Sequence, residues 1–200
     1  MLSDMKMRTY TMGARAEATE ATAARILDAA VRLFTDLPFE DVSLEQIADA
    51  ADVTVRTVIR RFESKEQLFV KAMDRAVDVM MAQRAEAPIG DIEGAVKNVI
   101  GHYEEWGDNR LRMLAQEERI PVVRDNARGG RKYHREWVAR VFSPLLKGFS
   151  GAARERRLAS LILATDVFTW KLLRRDHGLS REQTERTIVE MVIALKGEKP

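Results

Sequence analysis

Two S-x-x-Q capping boxes, Ser43 with Gln46 and Ser64 with Gln67, bracket a stretch with room only for two short helices and a turn. Ile47, Ala48 and Ala51 give the first helix a small apolar face, and small residues let two helices cross closely. Asp52 falls where the chain must reverse, and Asp visits left-handed geometry more readily than most residues. Thr54 is placed to cap the second helix. At about 100° per residue, Val55, Val58, Ile59 and Phe62 share one arc of that helix, while Arg56, Thr57, Arg60 and Arg61 share the other. No acidic residue occurs between 54 and 62. An ordinary solvated helix mixes signs, as Asp74, Arg75 and Asp78 do further on. A face of arginine and threonine alone suits phosphate oxygens and base edges. The layout is that of a helix-turn-helix unit, whose second helix enters a DNA major groove.

The flanks fit this reading. Residues 20–36 carry Ile26, Leu27, Ala30, Val31, Phe34 and Leu37 at helical spacing and end at Pro38, so that helix is core. A further helix over 65–84 buries Leu68, Phe69, Ala72, Met73, Ala76, Val79 and Met80 and is broken by Pro88-Ile89-Gly90.

With these flanks in place the segment resembles the TetR family of transcriptional regulators. The resemblance rests on Ile26 to Phe34, Ile47 to Thr54, Thr57, Phe62, and Lys65 to Leu68. It implies an N-terminal DNA-binding domain followed by a helical ligand-sensing and dimerisation domain, usually in a repressor released by a small molecule. Carried over by position, it implies phosphate or groove contacts for Ser43, Thr54, Arg56, Thr57 and Arg60, and a phosphate contact for Lys65 at a helix N-terminus. Arg61 joins this set from the arginine face itself. Two departures stand out: the family usually has Gly where Asp52 stands, and aromatic residues where Ile59 and Arg60 stand.

A chain of 200 residues that is 46% hydrophobic suffices for one or two helical units with a core. Its formal net charge is only +2, so any basic footprint must be local. It has no cysteine, no long apolar run and no signal-peptide pattern, which predicts a cytoplasmic protein without a membrane span. Residues 1–18 lack an apolar stripe and are expected to form a disordered arm. Residues 19–66 are then the DNA-binding domain. Residues 67–200 are the effector-binding and dimerisation domain, reached through the helix at 65–84, with a break at 84–91.

Beyond residue 91 only helical spacing appears, over 92–107, 109–119, 122–147, 152–176 and, after a third capping box at Ser180 and Gln183, a last helix. Gly129-Gly130 either interrupts or only loosens the third of these. The fold class is all-α with about nine helices. The last two helices carry more than one apolar stripe: Leu158, Leu161, Ile162, Thr165 and Phe168 with Leu163, Val167 and Trp170, then Ile188, Val192 and Leu195 with Val189, Met191 and Ile193. A second apolar face asks for a partner, and a symmetric homodimer supplies one. The first-named residues of each helix are the candidate interface, unless the surplus is interior to one chain. Trp106, Met113, Trp137, Phe142 and Trp170 are candidate walls of an apolar effector pocket, with Glu117, Tyr133, His134 and Asp166 as polar anchors. Each of them also suits a plain core, and the pocket itself is implied by the resemblance.

His102, His134 and His177 lie far apart, and no nucleophile elbow, phosphate loop or cysteine cluster occurs. No metal, cofactor or catalytic group is expected. The sequence thus predicts a dimeric regulator that binds a palindromic operator and answers to a small molecule. Its rival is a helical protein-interaction module without sequence-specific DNA binding.

Overall fold

The computed structural model describes residues 2–197, with side chains from 17 to 196. All regular structure among the described residues is helical. The chain divides into two compact units, residues 1–76 and 77–200. Their boundary falls inside one continuous helix, α4.

The first unit contains α1 (Leu2–Asp36), a 3-10 turn at Phe39–Asp41, α2 (Leu44–Ala50), α3 (Val55–Phe62) and the first part of α4 (Lys65–Ala85). Residues 2–18, expected as a disordered arm, form the first half of α1, with side chains described from Glu17 onward. Ile26, Ala30 and Phe34 are buried as their spacing requires, with Ile47 and Ala48 of α2 and Leu68 and Phe69 of α4. Phe34, Phe39 and Phe69 form an aromatic trio, with centroids 5.1–5.7 Å apart and the two contacts to Phe69 edge-on.

The second unit contains the end of α4, then α5 (Ile92–Leu114), α6 (Pro121–Val141), α7 (Ser143–Leu146), α8 (Gly151–Ala164), α9 (Val167–Lys171), a π-helical turn at Leu172–Asp176, and α10 (Arg181–Ala194). Its core joins Val96, Val99, Ile100 and Tyr103 of α5 to Trp137, Val138 and Val141, to Leu158 and Leu161, to Trp170, and to Ile188 and Val192. The end of α4 is tied to α5 by a reciprocal pair, Gln83 Nε2 to the Asn98 carbonyl (3.0 Å) and Asn98 Nδ2 to the Gln83 carbonyl (2.8 Å). Gly107 is a place where only a hydrogen fits: a Cβ there would stand 2.5 Å from the Trp170 ring.

Besides the start of α1, expected at about residue 20 and found at Leu2, three helix boundaries differ from the spacing-based expectation. Residues 92–114 form one helix, because nothing at Asp108 breaks it. The expected helix over 122–147 ends at Val141, and Pro144 sits in the short α7 that follows. The expected helix over 152–176 is cut at Thr165, and Asp166 recaps the chain by accepting from the Phe168 amide at 2.9 Å. Gly129 and Gly130 do not interrupt α6. The Arg110 guanidinium occupies the space a side chain at Gly130 would take.

Candidate nucleic-acid interface and effector unit

The reader unit is set by local chemistry. Ser43 caps α2 with a complete box: its Oγ accepts from the Gln46 amide at 3.1 Å and its own amide donates to Gln46 Oε1 at 2.7 Å. The turn then passes through Asp52 at φ +54°, the left-handed geometry expected of it. Arg25 Nε of α1 donates to the Ala51 carbonyl at 3.2 Å, pinning the turn to the first helix. Thr54 caps α3 by accepting from the Thr57 amide at 3.3 Å, and the two hydroxyls lie 3.0 Å apart.

Helix α3 buries Val58 and presents Arg56 and Arg60 to solvent, with Thr57 and Arg61 half-buried beside them. An open groove of about 800 Å³ runs between α1 and α3, lined by Thr22 and Arg25 on one side and Thr57, Arg60 and Arg61 on the other, with no carboxylate among its walls. Arg61 Nε is buried without a protein acceptor. Such a surface offers hydroxyls and guanidinium forks, the donors that meet phosphate.

Two side chains stand differently from expectation. Ile59, read as part of the buried arc, is 45% exposed and lies on the solvent side among the arginines. An eight-residue helix can turn only a narrow stripe inward, and Val58 takes that place. Lys65, expected to meet phosphate, folds over Phe39 with Nζ 4.4 Å from the ring centroid and 3.5 Å from the Glu40 carbonyl. Burial lowers its pKa, against the opposing pull of Glu66, Asp41 and Glu40. Its ammonium fastens the 3-10 turn to α4. Thr22 and Arg25 were not singled out from sequence, because their spacing within α1 marks only a solvated face.

In the second unit the residues expected to line a pocket divide. His134 and Trp137 meet Arg84, which sequence reasoning missed, and Phe142 packs edge-on against Trp137. Arg84 Nη2 donates to His134 Nδ1 at 3.1 Å. An arginine only donates, so Nδ1 is the acceptor and Nε2 carries the proton, facing Thr165 Oγ1 at 3.3 Å. Thr165 passes its own hydroxyl proton to the Leu161 carbonyl at 2.8 Å. Burial, with Arg84 beside it, holds His134 neutral, its pKa lowered to about 3. The same two causes lower His102 to about 3. Burial also raises the Tyr103 phenol to about 12, and its hydroxyl donates to the Thr165 carbonyl at 3.0 Å. Trp106, half-buried, borders this group through His102 at 4.9 Å between rings. Tyr133 is half-buried nearby.

The other candidates serve elsewhere. Glu117 pairs with Arg131 at 2.8 Å, Asp166 caps α9, and Trp170 is core against Gly107. Met113 is half-buried toward the end of α5. An open groove of about 490 Å³ between α5 and α10 is lined by Asp91, Glu93, Lys97, Glu182, Glu185 and Arg186, too charged for an apolar effector.

The candidate interface residues divide too, and here the expected stripe is corrected. Leu158, Leu161, Thr165, Ile188 and Val192 are buried in the chain's own core. Ile162 and Leu195 pack partly against it. Of the set named from sequence only Phe168 is largely exposed, at 56%. The exposed apolar residues are Leu163, Met191 and Ile193 of the companion set with Phe168 and Leu172, while Val167 and Trp170 of that set are buried. Two stripes separated by a fraction of a turn are equivalent in sequence, and packing against α5 and α6 chose which is core.

Among the described residues no helix is long and apolar enough to cross a membrane, and no group of three or more His, Cys, Asp or Glu could hold a metal ion.

A capped helix with an outward arginine face, crossed by a short helix and a long one, defines a helix-turn-helix DNA-binding module. Residues 26–72 match the family model described as bacterial regulatory proteins, tetR family. That match makes residues 26–72 similar to the DNA-binding domain of the TetR family. It is similar to the HTH-type transcriptional regulator RutR of Escherichia coli, 35% identical over 72 residues, covering 36% of this chain and 34% of that relative. It is also similar to the HTH-type transcriptional regulator TcmR of Streptomyces glaucescens, 29% identical over 120 residues, covering 54% and 53%. The chain thus matches about a third to a half of the length of these curated relatives. Over most of its length the fold is shared with a TetR-family regulator from Streptomyces coelicolor, at TM-score 0.67 and 22% identity, covering 86% of this chain and 81% of that one. A transcriptional regulator from Rhodococcus sp. Rha1 shares it at TM-score 0.65 and 18% identity, covering 86% and 94%.

Proposed function

We propose that this chain is a homodimeric, sequence-specific DNA-binding regulator of transcription, working in the cytoplasm as a repressor released from a palindromic operator by a small molecule with an apolar body. The observation that carries this reading is the outer face of α3. Arg56, Thr57 and Arg60 stand on a capped helix without an acidic residue, beside the groove that Arg25 and Arg61 line. Arg56 and Arg60 are placed to reach base edges, while Ser43, Thr54, Thr57 and Arg61 address the backbone. The exposed apolar stripe on α8–α10 supports pairing with a second copy, and two reading heads related by a two-fold axis address a palindrome. An effector that binds the DNA-incompetent state better, with ~1–3 kcal/mol of coupling, releases the operator.

Selection of the purified protein against a random duplex library at two salt concentrations tests the reading. An enriched palindrome supports it. Weak, sequence-independent binding that vanishes with salt overturns it and leaves a helical protein-interaction module.

A further inference from the structure

The interior of the effector unit holds a cation that no carboxylate balances. Arg84, in the last turn of α4, is 3% exposed. The groups that bear on its charge are Tyr103, Tyr133 and Arg140, with no Asp or Glu among them. Its described partners are all neutral: His134 Nδ1 at 3.1 Å, the Tyr103 hydroxyl, and the face of Trp137, 4.0 Å from the guanidinium carbon to the ring centroid. Its Nε is buried with no acceptor. A guanidinium keeps its proton even when burial lowers its pKa, so the charge remains. A buried charge of this kind is normally paired.

A second unpartnered nitrogen points the same way. His102 Nδ1, on α5, is also buried without a partner. The nearby carboxylates are committed: Glu104 to Arg174, Glu117 to Arg131, and Asp166 to the α9 cap. The other inner arginine, Arg110, spends its fork on Asn126 Oδ1 and the Ala127 carbonyl. Around Arg84 there are thus two idle buried nitrogens and a guanidinium charge with no carboxylate partner, with Trp137 on its face, Phe142 behind Trp137 and Trp106 against His102. His102 and Trp106 are only half-buried, so the cluster reaches the surface.

We propose that Arg84 is the anion-binding residue of the effector site and that the effector is a monocarboxylic acid with an aromatic or aliphatic body. The proposal rests on the ligand-responsive regulator reading and adds to it the chemical class of the ligand. A carboxylate supplies acceptors for Arg84 Nε and for the Nδ1–H tautomer of His102, and its single charge balances the single guanidinium. Arg84 belongs to the helix that begins at Lys65 in the DNA-binding unit, so an anion that draws on Arg84 acts directly on α4.

Calorimetric titration of the full chain with benzoate and octanoate, each beside its primary amide, tests the proposal. At least one acid is expected to bind about tenfold or more tightly than its amide. Arg84→Met should bring that preference below about twofold, and Arg84→Lys should keep part of it. A wild-type readout guards against a variant that fails to fold: the bound acid should slow hydrogen exchange at residues 83–85 and 102–106. Equal binding of acid and amide, no binding of either acid, or a preference that survives Arg84→Met in a folded variant would overturn the proposal. Operator affinity is measured separately without acid. Acid preference in a protein that selects no operator leaves the anion site standing and removes the regulator reading.

Discussion

Glu104 and Arg174 meet fork to fork. Arg174 Nε donates to Oε1 at 2.8 Å and Nη2 to Oε2 at 2.9 Å. Trp170 Nε1 adds a third donor to Oε1 at 2.8 Å. One carboxylate therefore joins α5 to α9 and to the π-helical turn. The Arg174 hydrogen bonds, followed by the Trp170 bond and the charges of Arg174 and Arg175, hold the Glu104 carboxyl below its usual range against the opposing effect of burial.

Glu104→Gln should cost about 1–2 kcal/mol, since a charge-assisted, half-buried fork is replaced by weaker bonds. The sign of the pH dependence follows from the lowered pKa. The stabilisation is present above the usual carboxylate range and is lost as pH falls through the depressed folded value. Urea melts should show wild type and variant well separated near pH 7 and converging as the pH falls below the usual carboxylate range. A separation that does not change with pH would show that the fork contributes no charge-dependent stability.

Arg60→Ala discriminates between base reading and backbone contact. If Arg60 meets a base edge, affinity for the selected operator should fall by ~1–3 kcal/mol with relaxed preference at one position. An equal loss on every sequence, with a shallower salt slope, would assign it to phosphate.

Phe168→Glu should split the proposed dimer and leave the helical fold intact, because Phe168 is 56% exposed among the exposed apolar residues of the second unit. Leu161→Glu, at 0% exposure, should instead unfold the second unit. Sedimentation and far-ultraviolet circular dichroism separate the two effects. A Phe168→Glu variant with unchanged mass would move the interface elsewhere.

Asp52→Gly should stabilise the reader unit by about 0.5–1 kcal/mol, because a non-glycine residue at φ +54° is strained. A rise in melting temperature checks this. A fall would mean that the Asp52 side chain stabilises the turn by more than its strain costs.

The parts legible in the sequence were those fixed by neighbours along the chain. Ser43, Thr54 and Ser180 cap their helices with residues three positions on, and Asp52 sets its turn alone. The outward faces of Arg56 and Arg60 follow from the same short-range periodicity. What could not be read was decided by packing between distant segments. Leu161 and Leu163 look equally fit for an interface until α5 and α6 cover the first. Lys65 looks like an anion anchor until Phe39 comes beneath it. Arg84 reads as a solvated residue near a helix end, and only the arrival of His134 and Trp137, some fifty positions away, makes it an interior cation.

The most direct test of α3 as the reader is the affinity of wild type and of the Arg56→Ala/Arg60→Ala double variant for the selected duplex and for a scrambled duplex of equal composition, at two salt concentrations. The account predicts that wild type favours the selected duplex by about a thousandfold or more and that the double variant loses most of that ratio while keeping its fold. A wild-type ratio near one at both salts, or a ratio untouched by the double substitution, would contradict it.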